Sequence, residues 1–461
     1  MKSTRFFSVF LLLALLCSLL SVPAVAAEAE PEVTPIPVMD VAAKAALLVD
    51  GDTGEVLYDK NSHDQLYPAS ITKIMTALLV FEAIDSGKLG LEDEITVTAT
   101  ALTGLATDGS SAGLKQGEVI TVHNLLYCML VVSANEACNI LGEKVAGTVS
   151  AFVDMMNTRA KAIGCKNTHF ANTTGLHDEQ HYTSAWDIYL IAREAMKHPM
   201  FMTICDTADV IIPATNLSPQ RHLYTTNHLL SSFKAIGYRN KEAHGIKTGS
   251  TSQAGHCLVS SAKRNDRSLI SVVLGADVVK LENGKNQTQS FSETNRLFDW
   301  GFKNFSRKTI LSSNEMVDEV AVSLSKEVNA VTVHADKDVD ALLPNDLLPD
   351  MLERTVTWTQ ETVEAPVTAG QKLGEITLSY DGQEYGKADL IAFDDVTASK
   401  LLVFQHNLAL FFAKTWVKVT LGVIAGLALL LVIATVVVSR RRARYGRRTG
   451  GRSRHYRGRS R

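Results

Sequence analysis

Apolar positions follow three patterns along this chain: helical spacing through the middle, short strand-like runs on either side of it, and unbroken blocks near both ends. From Ser70 to Ala83 they fall at Ile71, Ile74, Met75, Leu78, Leu79 and Phe81, which predicts a buried helix starting at Pro68-Ala69-Ser70. Ahead of it, Ala45–Asp50 reads as a buried strand, Gly51-Asp52-Thr53-Gly54 as a turn and Glu55–Tyr58 as a second strand, together a hairpin. Residues 122–147 are helical again, with a polar break at Ser133-Ala134-Asn135, and Ser150–Ile163 and Ser184–Met196 continue the helical block. After residue 240 the pattern turns to strands, Gly255–Ala262 and Ser268–Leu274, with a turn at Gly275-Ala276-Asp277 and a short helix over Ser290–Phe302. Two strands, a helical middle and closing strands predict an α+β domain over 38–302, an antiparallel sheet with a helical block.

From 308 to 395 the runs shorten. Val317–Leu324, Val331–His334, Thr355–Trp358, Ile376–Tyr380 and Tyr385–Leu390 have strand character, with turn residues such as Asp381-Gly382 between them. They predict a small all-β domain, and no internal repeat is visible.

The unbroken blocks belong to the ends. Lys2 and Arg5 precede the apolar stretch Phe6–Leu20, and Ala24-Val25-Ala26 is a small-x-small cleavage site, so residues 1–26 read as a signal peptide. Residues 28–37 are an acidic, proline-containing linker. Val419–Ser439 holds 21 residues without a charge. At about 1.5 Å each these span a bilayer core. Trp416 sits at one edge, and the basic tail 440–461 follows at the other, the side that stays cytoplasmic. The expected topology is single-pass in the cell membrane, with the body on the extracytoplasmic face and the C-terminus inside. The stretch from Ala398 to Phe412 is an interfacial or a connecting helix.

Composition narrows the class. Apolar residues make up 46% and charged residues 21% of 461, ordinary globular usage that excludes a disordered or collagenous chain. Net charge is −3, but eleven arginines crowd the last 22 positions. Without these, Lys2 and Arg5, 33 basic residues face 49 acidic ones, a body near −16. Such a body argues against nucleic acid as a partner. Cys17 leaves with the signal, and the five remaining cysteines, Cys128, Cys138, Cys165, Cys205 and Cys257, cannot all pair within the chain. None has C-x-x-C spacing. His177 and His181 stand at i, i+4, but Asp178 occupies the place where a zinc peptidase needs glutamate. No metal or cofactor is expected.

Three motifs carry chemistry: Ser70-Ile71-Thr72-Lys73, Ser133-Ala134-Asn135 and Lys247-Thr248-Gly249. Each alone is weak; their order and contexts are specific. The first starts a buried helix, the second breaks one at a corner, the third is expected to open a strand. Positions i and i+3 share a helix face, so the Lys73 amine reaches the Ser70 hydroxyl. A serine needs a base, and a lysine serves when burial and a second cation, here Lys247, lower its pKa. Ser133 can relay a proton to the leaving group. Asn135 can bind a substrate amide, Lys247 and Thr248 a substrate carboxylate, and Gly249 lets the substrate lie against the strand edge. The Ser70 N–H at a helix start supplies half of an oxyanion hole.

On these motifs the chain resembles the D-alanyl-D-alanine carboxypeptidases, the low-molecular-mass penicillin-binding serine peptidases. Leu66–Thr76, Gly117–Val122 leading to Asn124–Tyr127, Phe170-Ala171-Asn172, Gly175-Leu176 and His181–Asp187 are similar to the family's segments. The resemblance covers about 40–395. It implies a serine β-lactamase/DD-peptidase-like catalytic domain followed by the family's associated β domain. It also implies that Ser70 forms an acyl-enzyme, Lys73 accepts its proton, Ser133 completes the relay and Lys247 binds substrate. The implied partners are peptidoglycan pentapeptide stems ending in D-Ala-D-Ala, β-lactam antibiotics as covalent inhibitors, and the membrane through the C-terminal helix. Ser250 after K-T-G and Glu136 after S-x-N depart from many relatives. The alternatives are a serine β-lactamase, a DD-endopeptidase on the same fold, and a non-catalytic sensor; the absence of an E-x-x-L-N pattern in 165–190 tells against the first.

Overall fold

A computed structural model describes residues 38–106 and 109–446. The signal peptide and most of the basic tail lie outside the described residues. The chain divides into two compact units, one reaching Ser306 and including Pro344–Leu347, the other Arg307–Leu343 with the residues from Leu348 onward.

The first unit is built on a five-stranded antiparallel sheet: β1 (Ala45–Asp50), β2 (Val56–Lys60), β3 (Ala243–Thr251), β4 (Gly255–Arg264) and β5 (Arg267–Ala276), in the order β2-β1-β5-β4-β3. The N-terminal hairpin is therefore closed by the last strand, with Ala45 opposite Leu274 and Asp50 opposite Leu269. Every residue of β1 is buried because both sheet faces are covered. Leu47 and Val49 join one core with Ile270 and Val272, against the helical block. Leu48 and Ala46 face the other way, toward Leu297, Phe298 and Phe302 of the closing helix Gln289–Asn304. Alternation along a strand thus feeds two cores, and the continuous apolar run of β1 follows from a sheet packed on both sides.

The helical block comprises α1 (Lys73–Asp85), α2 (Val122–Leu130), α3 (Asn135–Ala146), α4 (Val149–Ile163) and α5 (Ala185–Ala195). In α1 ten residues from Lys73 to Ala83 are buried, so this helix is nearly apolar all round. Side chains cap several helix starts: Thr121, Thr148 and Ser184 each accept the backbone N–H three residues on.

Some elements differ from expectation. The buried helix does not begin as α-helix at Ser70; a 3-10 turn, Ala69–Thr72, precedes it. Lys247-Thr248-Gly249 does not open a strand but lies in the second half of β3. The chain does not turn at Gly275, because β5 runs to Ala276. The helix Pro199–Cys205 and the ribbons Glu94–Thr96 with Val119–Thr121 and Asp209–Ile212 with Arg221–Tyr224 are too short to show a period.

The second unit carries a six-stranded sheet. Its strands are β6 (Met316–Ser323), β7 (Ala330–Ala335), β8 (Glu353–Trp358), β9 (Thr362–Glu364), β10 (Lys372–Tyr380) and β11 (Gln383–Ala392), ordered β8-β10-β11-β7-β6-β9. Asp381 and Gly382, both at positive φ, make the two-residue turn between β10 and β11. The last pairing of this unit is Val396 with Val367, one residue past the expected boundary at 395. Two helices follow, Lys400–Ala413 and Thr415–Gly446, the second long and apolar enough to cross a membrane. All five described cysteines are free thiols.

Candidate active site

The 3-10 turn matters for the first motif. In 3-10 geometry the side chains at i and i+3 eclipse, so Ser70 and Lys73 lie one above the other. Lys73 Nζ is 2.9 Å from Ser70 Oγ. Its other contacts are Asn135 Oδ1 at 2.8 Å and the carbonyl of Thr174 at 2.7 Å. Both are pure acceptors. A neutral amine has two N–H groups for them and one lone pair, which is left for the serine O–H. An ammonium would instead donate to all three oxygens, so the contact set accommodates both forms, and the neutral one is the form in which Lys73 can act as a base.

The ammonium form is disfavoured. Lys73 is fully buried, and burial holds its pKa well below the ordinary lysine value, although the Glu136 charge acts in the opposite sense. Lys247 is buried too and is pushed down to about 7, first by burial and then by the Lys73 charge. Of the two expected causes, burial and a second cation, burial dominates at Lys73, and the cationic coupling acts on Lys247.

The turn is held from two sides. Ala69, directly before the serine, has φ +48°, a left-handed value that costs about 1–3 kcal/mol in a non-glycine residue. Its carbonyl accepts from Thr72 Oγ1, which in turn contacts His181 Nε2 at 2.8 Å. His181 Nδ1 accepts the N–H of Ala171, so the ring is neutral with its proton on Nε2, and burial lowers its pKa to about 4. The loop Asn172–Leu176 supplies the Thr174 carbonyl. Asn172 Oδ1 accepts from the N–H groups of Thr174 and Gly175, an Asx turn, and Gly175 packs on the Ala69 carbonyl. From the other side comes β3. A Cβ at Gly249 would stand 2.9 Å from Ser70 N and 3.0 Å from the Pro68 carbonyl. Gly249 is thus required by the packing of β3 on the turn, and it also lines the cleft, where the expected approach of substrate to the strand edge would occur.

Ser133, between α2 and α3, also has a left-handed φ, +65°. Its Oγ is buried and has no hydrogen-bond partner among the described residues, as suits a hydroxyl awaiting one. Asn135 lies close behind, but its Oδ1 is committed to Lys73, so the expected contact to a substrate amide is left to Nδ2 alone. Glu136, at the first turn of α3, accepts Ser111 Oγ and the N–H groups of Ala112 and Gly113, tying down the loop that carries Ser110.

These elements enclose a cleft of about 220 Å³. Ser70, Ser133, Thr248 and Gly249 line it, with Ser110, Thr226, His228, Ser250, His256, Cys257, Thr288, Ser290 and Phe291. Lys73, Asn135 and Lys247 are buried behind these walls. Thr226 Oγ1 meets Thr248 Oγ1 at 2.6 Å, and Lys247 Nζ donates to the Thr248 carbonyl. Among the described residues no carboxylate lines the cleft. The three motifs are thus brought together as read. Sequence reasoning missed Thr174, which acts through a carbonyl, and the cleft wall from Thr226, His228 and Phe291. The Asn-Thr-Thr-Gly stretch at 172–175 is a turn signal that marks the first of these. The histidine pair is separated in role: His181 is buried in the brace, while His177 packs edge-on against Tyr67 at 4.7 Å. No cluster of metal-binding side chains occurs among the described residues.

Comparison with known proteins places this architecture. Residues 28–278 match the family described as D-alanyl-D-alanine carboxypeptidase, and residues 305–398 match the C-terminal domain of penicillin-binding protein 5. The chain belongs to the D-alanyl-D-alanine carboxypeptidase family. D-alanyl-D-alanine carboxypeptidase DacF of Bacillus subtilis is 31% identical over 362 residues, which cover 78% of this chain and 88% of that protein. The crystal structure of DacD from Francisella tularensis superposes with a TM-score of 0.64 at 27% identity, over 80% of this chain and 97% of that one. Penicillin-binding protein 5 of Haemophilus influenzae gives 0.60 at 29% identity, over 79% and 100%.

Proposed function

We propose that the protein is a serine-type D-Ala-D-Ala carboxypeptidase that removes the terminal D-alanine from peptidoglycan stem peptides. The contact set of Lys73 is the observation that carries this reading. Neutral Lys73 takes the proton of Ser70, and Ser70 Oγ attacks the carbonyl of the penultimate D-alanine. The Ser70 N–H, at the start of its turn, donates to the oxyanion. Ser133 Oγ passes a proton to the leaving nitrogen, and D-alanine departs. Water then hydrolyses the ester on Ser70 and restores both groups. Lys247 and Thr248 hold the terminal carboxylate, and Asn135 orients the base while offering Nδ2 to the peptide.

A β-lactam enters as a substrate whose leaving group stays tethered, which makes it a covalent inhibitor. The apolar helix Thr415–Gly446 anchors the chain in the membrane. With a signal peptide at one end and an arginine tail at the other, both active-site walls and the β domain lie on the extracytoplasmic face. The direct test is release of free D-alanine from diacetyl-L-Lys-D-Ala-D-Ala by the purified protein. A protein that hydrolyses a chromogenic cephalosporin rapidly and leaves this peptide intact would contradict the reading.

A further inference from the structure

Two histidines stand in the cleft wall, His228 and His256, and the mechanism above uses neither. Their places differ. His256 lies opposite Ser250 across the β3–β4 pair, past Gly249. His228 comes two residues after Thr226, whose hydroxyl meets that of Thr248 at 2.6 Å. It therefore belongs to the part of the cleft where Lys247 and Thr248 hold the terminal carboxylate.

The segment that carries His228 is fixed to its neighbours. The Thr226 N–H donates to the Val131 carbonyl, and Asn227 Nδ2 donates to the Gly245 carbonyl of β3 at 2.6 Å. Leu229, directly after the histidine, is fully buried. The imidazole ring stacks on Phe291 of the closing helix, 4.8 Å between centroids with 21° between planes, and on Tyr238 at 6.1 Å. Tyr238 is anchored in turn, its hydroxyl accepting the Thr288 N–H at 2.7 Å. The ring is thus held by packing and not by hydrogen bonds of its own.

Its two nitrogens differ. Nδ1 is buried and has no partner among the described residues. Nε2 makes no hydrogen bond among them either, but it is not buried, and it forms the open edge of a ring in the cleft wall. Burial, and then the Lys234 charge, hold the pKa below the ordinary histidine value, so at pH 7 the ring is neutral and carries one proton. That proton is assigned to Nε2, because a proton on Nδ1 would be a buried donor without an acceptor.

A terminal carboxylate has room for a further donor. Its two oxygens offer about four lone-pair sites. Of the two hydrogens on the Thr226 and Thr248 hydroxyls, one is consumed between them, and Lys247 Nζ spends a hydrogen on the Thr248 carbonyl. Among the described residues the cleft wall holds no arginine.

We propose that His228 is a specificity-determining residue of this site: its Nε2–H donates to the terminal carboxylate of the substrate, beside Lys247 and Thr248, and favours a free chain end over an amide. The proposal rests on the carboxypeptidase reading and adds a third carboxylate holder to it.

The test gives the purified full-length protein diacetyl-L-Lys-D-Ala-D-Ala and the same peptide ending in a C-terminal amide. Formation of diacetyl-L-Lys-D-Ala, the product common to both, yields kcat and KM. His228→Phe keeps an aromatic ring and removes the N–H. It should raise KM for the acid peptide about tenfold with kcat held, the loss of one hydrogen bond to a charged group, and leave the amide peptide unchanged. His228→Gln keeps an N–H donor and should restore most of the loss. Urea midpoints verify that both variants fold. If the amide is cut too slowly to follow, the rise in KM and its relief by glutamine on the acid peptide decide. An unchanged KM in His228→Phe would overturn the assignment. So would an equal loss on both peptides, a loss in kcat alone, or a glutamine variant no better than phenylalanine. No cleavage of the acid peptide by the unaltered protein would bring down the carboxypeptidase reading, and this assignment with it.

Discussion

Gly175 packs so closely on Ala69 that a Cβ at position 175 would overlap the Ala69 carbonyl. The residue also has φ +87°, a region that L side chains avoid. Because Thr174 immediately precedes it, this contact sets where the carbonyl that holds Lys73 can be. Gly175→Ala should cost roughly 2–4 kcal/mol of stability and slow acylation by at least about tenfold. Urea unfolding and the rate of fluorescent-penicillin labelling check it; a fully active, equally stable variant would mean that the loop relaxes freely.

Asn135 touches Lys73 Nζ at 2.8 Å, which separates two roles. Asn135→Asp keeps the shape and adds a negative charge, which raises the lysine pKa. Labelling should fall at pH 7 and recover as pH rises, the acid limb having moved up. A loss of equal size at every pH would show that Asn135 serves the substrate instead.

The pKa of His181 lies near 4 in the folded chain, against 6.5 for the free group. A folded pKa below the unfolded one means that the unfolded chain binds more protons between these values. Stability is then present above pH 6.5 and lost as pH falls toward about 4, by about 3 kcal/mol. Urea midpoints across that window should show the loss, and His181→Gln should flatten it. An equal slope in the variant would assign the acid sensitivity elsewhere.

Truncation after Ser399 should release a soluble, active protein. It retains the Val367–Val396 pairing and the bond from Ser399 N–H to the Leu324 carbonyl, and removes both C-terminal helices. Cell fractionation followed by the D-alanine assay reads the outcome. Truncated protein remaining in the membrane would show that a segment upstream of the cut binds lipid.

Much of this was legible from residues alone. The apolar run at 45–50 read as a strand, the 3.6-residue spacing after Ser70 as a buried helix, and the three motifs as one site. What escaped has a common cause. The Thr174 carbonyl holds the base, yet a backbone oxygen leaves no residue signature. Ala69 and Ser133 adopt left-handed backbone conformations that no glycine advertises. The motifs mark Asn135 and Gly249 but not their contacts to Lys73 and to the Ser70 turn, because a motif states which residues matter and not which neighbour each one faces. Short elements such as Pro199–Cys205 are placed by tertiary packing rather than by period.

The central claim is that Ser70 and Lys73 act as one nucleophile and base. It is tested most directly by comparing the unaltered protein with Ser70→Ala and Lys73→Arg, measuring D-alanine release and fluorescent-penicillin labelling side by side. Ser70→Ala should lose both, for want of the oxygen that forms the ester. Lys73→Arg should fold and still lose acylation by about a thousandfold, since arginine stays charged and cannot take the proton. Covalent labelling that persists in Ser70→Ala, or an active Lys73→Arg protein, would contradict the account.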